Sequence, residues 1–403
     1  MARPSKNRGS SGTLREGNRT RVVDALRREG SASRSELVRA TGLSRTTVGN
    51  VVADLLERGL AVEQTAAPEA AGRGRPPARV RLDAAAGAAV GIDFGHRHLR
   101  VAVADLSSHV LAERWVELDV DHEADDALRA AVDLVDGVLV DAGIERERVV
   151  GAGMGLPGPI DARSGSVGSS VILPGWSGVD ARNVLAHRLG LPVEVDNDAN
   201  LGARAEAAYG AGRGCSDFVY LKVASGIGAG LVLGGRLHAG AAGIAGELGH
   251  IQVTPDGAVC RCGNRGCLES VAAVPALLEL LRPARGEDLG MRGLVGLLEE
   301  DDPGACRVVT DAGRILGRVL ADLCNALNPE AIIVGGDLSA AGAPLFDGID
   351  ESLGRYALPA VAASLRVVAG ELGERAEVLG ALALVITETD RVRSTALGTI
   401  GVG

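Results

Sequence analysis

Two stretches of this chain follow the same plan, in which a strand, a turn that contains glycine and a second strand succeed one another. They cover residues 91–105 and 218–233. A further apolar run, residues 331–334, leads directly into Gly335. Strands that alternate with helices and end at glycine are typical of an α/β fold whose binding sites lie at those strand ends. The repeated plan therefore predicts two related lobes that face a cleft.

The same pattern places the individual elements. We expect a helix over residues 124–142 and strands over residues 90–93, 99–105, 149–154, 193–196, 218–223, 229–233 and 331–334. We therefore divide the α/β body into a first lobe (residues 83–196) and a second lobe (residues 197–403). The C-terminal helix is expected to pack back on the first lobe.

Length and composition limit the class of protein. A chain of 403 residues is too long for one ordinary domain, and 46% hydrophobic content is enough to bury large cores. The sequence contains no apolar run of 18 residues, and its basic, polar N-terminus is not followed by the apolar stretch of a secretory signal. The six cysteines do not form the pattern of a secreted disulfide scaffold. We expect a cytoplasmic protein with no membrane partner.

Charge is distributed unevenly along the chain. Residues 1–82 carry 16 Lys and Arg against 8 Asp and Glu, whereas residues 83–403 carry 26 against 44. A small basic segment attached to a large acidic body indicates that only the N-terminal part meets a polyanion.

The N-terminal part begins with a basic stretch, residues 1–18, which we expect to be a flexible tail. A helix is predicted over residues 20–29. Ser33 and Glu36 then form a capping box that starts a second helix, because each side chain can bond the other residue's backbone N–H. Gly42 is expected to end this helix.

A third helix is predicted after Gly42, with Ser44 as its cap. Its apolar residues fall at i, i+3, i+4, i+7 and i+8, which is the stripe of an amphipathic helix: Val48, Val51, Val52, Leu55 and Leu56. Two strand-like pieces within residues 60–82 form a hairpin with a flexible tip. Three helices followed by a hairpin predict a winged helix-turn-helix domain over residues 19–82.

The exposed side of the third helix and the hairpin tip carry the candidate DNA contacts. Side chains on the helix suit phosphates and base edges in a major groove, and two arginines in the tip suit a narrow minor groove. These residues are Arg45, Thr46, Thr47, Asn50, Arg73 and Arg75. A protein–protein helical module and a plain solvated loop are the alternatives. The charge asymmetry favours DNA, and the segment resembles the winged-helix modules of bacterial repressors.

The most specific local motif is His250 followed by Cys260, Cys262 and Cys267. Three thiolates and an imidazole within 18 residues make a tetrahedral set that suits Zn²⁺. No coordination position is left open, so the metal is expected to be structural. The alternatives are free thiols in a turn or one reversible disulfide.

A second group of polar residues surrounds the same region. Asn197 and Asp198 lie between a strand and a helix, where Asn or Asp most often caps the helix, although a carboxylate at a strand end can also act as a general base. Glu247 precedes the histidine and Glu269 follows the last cysteine. A cleft edged by Asn, Asp, Glu and His suits a polyhydroxylated ligand, because each hydroxyl can both donate and accept.

Taken together, these motifs resemble the ROK family (repressor, open reading frame, kinase). The resemblance includes the glycine pattern of residues 223–231, then Gly240, Gly246 and Gly249, together with the cysteine cluster and the Asn-Asp-Ala-Asn motif. It covers nearly the whole chain, including the winged helix that the repressor branch carries and the stand-alone sugar kinases lack. It implies a two-lobed actin-like (ribonuclease H-like) sugar kinase fold for the body.

The resemblance also assigns roles to residues. It places Asn197, Asp198, Glu247, His250 and Glu269 on the sugar-contacting positions, with Asp198 on the catalytic base. It places the zinc ligands on the His/Cys motif, with one nitrogen of His250 on the metal and the other on the sugar.

Two departures from the family pattern bear on function. Family kinases carry Asp-x-Gly-Gly-Thr at the first phosphate turn, whereas this chain has His96 and Arg97 at the last two positions. In the second phosphate turn, Ala224 and Ser225 replace the usual Gly-Thr. These changes argue against efficient ATP use. Ile172 stands where the family has a hydrogen-bonding Asn, so the ligand can differ from the usual sugar.

Three hypotheses follow. The first is a sugar-responsive transcriptional regulator, usually a repressor, that binds a palindromic operator as a homodimer or a dimer of dimers. The second is an ATP-dependent sugar kinase with a DNA-binding appendage. The third is a regulator gated by a protein partner, with a vestigial sugar pocket.

Overall fold

The computed structural model describes residues 9–64, 78–161 and 172–396. In chain order, the α-helices are α1 (Gly9–Glu29), α2 (Arg34–Thr41), α3 (Arg45–Glu57), α4 (Ala124–Ala142), α5 (Ala181–Leu189), α6 (Asp198–Tyr209), α7 (Glu269–Ala272), α8 (Val274–Arg285), α9 (Met291–Glu299), α10 (Pro303–Leu327), α11 (Ala343–Tyr356), α12 (Pro359–Ser364) and α13 (Ala376–Ala396). The strands are β1 (Ala32–Ser33), β2 (Ala61–Gln64), β3 (Arg79–Leu82), β4 (Ala88–Gly95), β5 (His98–Asp105), β6 (Val110–Glu117), β7 (Val149–Leu156), β8 (Val193–Asn197), β9 (Phe218–Val223), β10 (Ile227–Leu233), β11 (Arg236–Leu237), β12 (Ala331–Gly335) and β13 (Arg366–Ala369).

The N-terminal domain is a winged helix-turn-helix, as the sequence predicted. The capping box of α2 is confirmed: the Ser33 N–H donates to Glu36 Oε2 at 2.7 Å, and the Glu36 N–H donates to Ser33 Oγ at 3.3 Å. Gly42 ends α2 with φ +67°, a left-handed conformation that favours glycine. Ser44 caps α3 by accepting from the Thr47 N–H at 3.1 Å.

Two details of this domain differ from the prediction or lie beyond it. Helix α1 already begins at Gly9, so residues 9–18, expected to belong to a flexible tail, form its first turns. Strands β2 and β3 pair antiparallel, with Ala61 opposite Leu82. The tip between them, which carries Arg73 and Arg75, lies outside the described residues.

The body contains two sheets with the same strand arrangement. The first has the order β6-β5-β4-β7-β8 and the second the order β11-β10-β9-β12-β13. In each sheet an antiparallel hairpin stands beside parallel strands: β4 pairs antiparallel with β5 and parallel with β7, and β9 pairs antiparallel with β10 and parallel with β12. This confirms the two related lobes that the repeated strand–turn–strand plan predicted.

Alternating side chains divide each sheet between two apolar layers. One face of β4, with Val90 and Ile92, packs with buried residues of α4 and α5. Its other face, with Ala89, packs against α13. In the second lobe, Val219 and Leu221 of β9 contribute to a core with α8, α10 and α11. Helices α6 and α13 contact each other on the side opposite these outer helices.

Glycine allows α13 to approach the first sheet at backbone contact distance. A Cβ atom on Gly153 of β7 would lie 2.2 Å from the Ala381 carbonyl oxygen of α13. One on Gly91 of β4 would lie 2.5 Å from the Val378 carbonyl oxygen. The C-terminal helix therefore packs on the first lobe, and neither strand position can carry a side chain without displacing it.

The same helix continues towards the winged helix. Leu382 and Ile386 of α13 belong to one buried apolar cluster with Val22 and Leu26 of α1. Ala104 of the first sheet is part of this cluster as well. The DNA-binding domain and the body thus share a hydrophobic core that includes α13.

Within the part of the chain that the structure describes, no helix combines the length and the apolar character that a membrane span requires.

The contact between α13 and the first sheet yields a stability prediction. We expect Gly153→Ala to lower the free energy of unfolding by about 1–3 kcal/mol, because its Cβ overlaps the Ala381 carbonyl and α13 must shift. Gly354→Ala in α11 is the matched control, since no atom lies within 4 Å of its added Cβ. Urea unfolding of the two variants checks this. A Gly153→Ala protein as stable as the control would contradict the packing described here.

Candidate functional site

The cleft between the two sheets contains the polar residues singled out by sequence. The structure brings Asn197, Asp198, Glu247, His250 and Glu269 to the walls of one pocket. These residues come from the end of β8, the start of α6, the turn after β11 and the start of α7. The pocket lies at strand ends, as the glycine pattern predicted.

Asn197 and Asp198 occupy the junction between β8 and α6. Asn197 caps the helix, since its Oδ1 accepts from the Ala199 N–H at 2.8 Å. Its Nδ2 donates to the Gly158 carbonyl, just beyond the neighbouring strand β7, at 2.7 Å. Asp198 Oδ2 accepts from Lys222 Nζ at 2.9 Å. The capping interpretation is therefore confirmed for Asn197, while the Asp198 carboxylate lines the pocket and is ion-paired.

Glu247 and Glu269 form the opposite wall. Gly246, with φ +100°, brings Glu247 close to the second sheet, where a Cβ on this glycine would meet the Ala229 carbonyl oxygen. Burial, followed by the charges of Asp198 and Glu269, raises the pKa of Glu247 to about 7. Glu269 Oε2 accepts from the Ile227 N–H at 3.1 Å. The pocket thus offers several oxygen acceptors at short range.

The His/Cys motif folds into a compact cluster beside this pocket. The four side-chain ligand atoms of His250, Cys260, Cys262 and Cys267 lie within 4.8 Å of one another. Cys260 Sγ lies 3.7 Å from His250 Nδ1, and Cys262 Sγ lies 3.6 Å from Cys267 Sγ. A tetrahedral ion with metal–sulfur bonds of about 2.3 Å has ligand–ligand edges of about 3.8 Å. The cluster therefore has the dimensions of a tetrahedral metal site.

Electrostatics and orientation support the same interpretation. Burial, together with the two neighbouring thiols, raises the pKa of Cys267 to about 12, and a bound cation would favour the deprotonated form of this thiol. His250 directs Nδ1 to the cysteines, while its Nε2 lies 3.8 Å from Glu247 Oε2 on the pocket side. A metal at this position would hold the loop that carries the pocket histidine.

The turn between β4 and β5 is occupied by the side chains of His96 and His98. His98 Nε2 lies 2.9 Å from Asp93 Oδ2, and the His98 ring lies against Gly95, where an added Cβ would be 2.1 Å from its Cε1. Burial opposes charge on His98, but its bond to Asp93 raises the pKa of the imidazole. His96 binds Asp121 at 2.6 Å. The sequence identified His96 and Arg97 as departures here but not His98.

Two cationic residues of the pocket were not recognised as such from the sequence. Lys222 of β9 lies 3.1 Å from Glu377 Oε1 in addition to its contact with Asp198. Arg261, between the first two cysteines of the motif, lies 3.4 Å from Glu269 Oε1 and lines the pocket. Ile172 also lines the pocket and packs against Gly158. The position of Arg261 between two predicted ligands was the available signal, whereas Lys222 had none.

The candidate DNA-binding helix is accessible. Arg45, Thr46 and Asn50 of α3 are exposed, and Arg45 has no ion-pair partner among the described side chains. Thr47 is half-buried and its hydroxyl contacts Ser44 Oγ at 2.8 Å. The buried side of the helix consists of Val48, Val52 and Leu55, as the apolar stripe predicted.

A winged helix-turn-helix joined to a two-lobed, sugar-kinase-like α/β body defines the class of protein. Residues 89–388 match the ROK family, and residues 16–73 match the MarR family. The chain belongs to the ROK family, which confirms the resemblance drawn from its motifs.

Relatives cover both the whole chain and its body. A xylose repressor of Caldicellulosiruptor bescii is 28% identical over 94% of this chain and 98% of its own length. A glucokinase of Thermotoga maritima is 33% identical over 73% of this chain and 96% of its own. A crystal structure of a ROK family transcriptional regulator, a homologue of the E. coli MLC protein, superimposes with a TM-score of 0.78 at 27% identity, covering 95% of this chain and 98% of that one.

The cysteine cluster yields a prediction for metal content. We expect the purified protein to hold about one equivalent of a tetrahedral metal ion and Cys262→Ser to lose most of it, because one thiolate of the set is removed. Elemental analysis measures the content. Cys306→Ser is the control, since Cys306 lies outside the cluster. Equal metal content in both variants would contradict the assignment.

The raised pKa of Glu247 yields a pH prediction. Between about pH 4.5 and 7, the folded protein keeps a proton that the unfolded chain releases, so this residue lowers stability as the pH rises through that window. We expect Glu247→Gln to be about 1–2 kcal/mol more stable than the parent at pH 8 and equal to it near pH 4.5. Urea unfolding across this range checks it. A pH-independent difference would refute the prediction.

Proposed function

We propose that this protein is a transcriptional regulator, in most circumstances a repressor, whose DNA affinity changes when a sugar binds in the cleft. The observation that carries the proposal is the coexistence of an exposed α3 with a polar cleft, linked by an apolar core that contains α13. The similarity to a xylose repressor over nearly the full length supports it. Residues 19–82 would bind DNA, and residues 83–196 and 197–403 would form the lobes that enclose the sugar.

The DNA would be a palindromic operator bound by a homodimer or a dimer of dimers. Arg45, Thr46 and Asn50 would enter the major groove, with Thr47 supporting the helix start. Arg73 and Arg75 at the hairpin tip would reach the minor groove. The basic charge of the first 82 residues supports a polyanionic partner.

The effector would be a sugar or sugar derivative held by Asn197, Asp198, Glu247, His250 and Glu269. These side chains supply the mixture of donors and acceptors that hydroxyl groups require. Ile172 adds an apolar wall where the family pattern has Asn, which favours a ligand that lacks a polar group at that point. The cation of the cysteine cluster would be structural Zn²⁺, which would fix the loop that carries His250. A cytoplasmic location fits a DNA-binding partner.

Sugar phosphorylation is the second candidate, supported by the 33% identity to a glucokinase. Two features of the cleft argue against it. His98 covers Gly95 in the turn where the family resemblance places the phosphate, and Lys222 is paired with an oxygen of Asp198, the residue that the same resemblance places on the catalytic base. We therefore favour transcriptional regulation over sugar phosphorylation. Release of ADP from ATP during incubation with a panel of sugars would favour the kinase instead.

Operator release by sugar tests the proposed function. We expect the protein to bind its own upstream region and to lose at least about tenfold in affinity when the matching sugar is present, because the sugar binds one of two lobe arrangements more tightly. Gel-shift titrations with D-xylose, D-glucose and their phosphates measure this. Asp198→Asn should keep operator affinity and lose most of the response.

Arg45→Ala provides the matched control for the DNA side. Loss of one phosphate or base contact should weaken operator binding and reduce the salt dependence by about one charge, while sugar binding is retained. Failure of the parent protein to bind any palindromic site at low salt would refute the regulator proposal.

A further inference from the structure

The ion-paired Lys222 connects the pocket to a helix that the sequence did not associate with it. Its Nζ lies 2.9 Å from Asp198 Oδ2 and 3.1 Å from Glu377 Oε1. The side chains of Lys222, Asp198 and Glu377 are 15%, 17% and 7% exposed. They belong to β9, α6 and α13 respectively. One ammonium thus joins a pocket carboxylate to the first turn of the C-terminal helix.

The strength of this contact follows from its burial. Burial opposes the charge of Lys222, yet Asp198, Glu377 and Asp93 together raise the pKa of its ammonium well above the ordinary value. Glu377 Oε1 is buried and makes no hydrogen bond of good geometry among the described residues, so the Lys222 ammonium at 3.1 Å is its compensating charge. Removing Lys222 would leave the carboxylates of Asp198 and Glu377 without this compensating charge, which is far more costly than breaking a surface pair.

Glu377 lies at the start of a helix that meets both the body and the winged helix. The next residue, Val378, places its carbonyl against Gly91 of the first sheet. Leu382 and Ile386 then pack in the cluster that includes Val22 and Leu26 of α1. A change in the ion pair between Lys222 and Glu377 therefore acts on α13, the helix that contacts both the body and the DNA-binding domain.

We propose that Lys222 is a positioning residue that transmits occupancy of Asp198 to Glu377 and so to α13. A sugar hydroxyl that donates to Asp198 reduces the negative charge that Asp198 presents to the ammonium. The ammonium then interacts more strongly with Glu377 and holds the start of α13 more firmly. The transmission to DNA rests on the proposed function, whereas the link between Lys222 and α13 does not.

Hydrogen exchange of the full chain tests the link without any ligand. Glu377→Gln removes the carboxylate charge and keeps the shape of the side chain. We expect amide exchange in residues 376–386 and 20–29 to become at least about threefold faster. Glu279→Gln is the control, because it removes one negative charge from an exposed pair with Arg282 on α8. Unchanged exchange at residues 376–386 in Glu377→Gln would overturn the proposal.

A double variant separates a specific link from general destabilisation. If Lys222 acts on α13 through Glu377, Lys222→Met combined with Glu377→Gln should accelerate exchange at residues 376–386 no more than Lys222→Met alone. Multiplied effects of the two substitutions would show that they act independently, and this would overturn the proposal.

The sugar response then separates this inference from the proposed function. With D-xylose and D-glucose as probes, Glu377→Gln should bind sugar within about threefold of the parent affinity and lose most of the sugar-induced change in operator affinity. If sugar changes the operator affinity of the parent and of Glu377→Gln by the same factor, the transmission through Lys222 is overturned and the proposed function is left intact. A parent that responds to neither probe nor to the wider sugar panel would overturn both the proposed function and the transmission, while the exchange data still decide the link to α13.

Discussion

Close backbone contact between α13 and the first sheet is the constraint on which the arrangement of this molecule depends. Gly91 and Gly153 leave room for carbonyl oxygens of the helix at positions where any side chain would collide with them. On its other side α13 meets α6, where Gly380 approaches the Leu201 carbonyl. Because protein interiors are closely packed, a helix held in this way can shift only if its neighbours shift as well. The winged helix packs on the same helix, so its position is tied to the body.

Two further features determine the geometry and the charge balance of the cleft: the His/Cys cluster and the ion pairs of Lys222. A tetrahedral ion in the His/Cys cluster would fix one wall by holding His250 and the loop beyond it. The buried ammonium of Lys222 compensates carboxylates of α6 and α13 on the other side. A polar pocket of this kind requires that its charges be paired. The family resemblance places one of these carboxylates, Asp198, on the catalytic base of the sugar kinases, and in this chain that carboxylate is paired with Lys222.

Local features of this chain could be predicted from sequence because their causes are local. The capping box of Ser33 and Glu36, the left-handed Gly42 and the helix over residues 124–142 all depend on neighbouring residues. The repeated strand–turn–strand plan predicted the two lobes, and the family resemblance placed Asp198 and Glu247 in one pocket. The expected flexible tail was not found from residue 9 onward, because α1 continues upstream of its apolar residues.

Contacts between distant residues could not be predicted. Lys222 gave no signal, since nothing in its surroundings on β9 indicates that Glu377 of α13 would lie beside it. His98 lies just before the strand predicted over residues 99–105, and only the fold shows that its ring lies over Gly95 and binds Asp93. In both cases the decisive partner was a buried charge, and such partners are chosen by tertiary packing rather than by spacing along the chain.

The central claim is that sugar binding and operator binding are coupled, and calorimetry of sugar binding in the presence and absence of operator DNA tests it most directly. Thermodynamic linkage requires that DNA lower the affinity for sugar by the same factor by which sugar lowers the affinity for DNA. We predict equal factors of at least about tenfold. A sugar affinity that is the same with and without the operator would contradict the account.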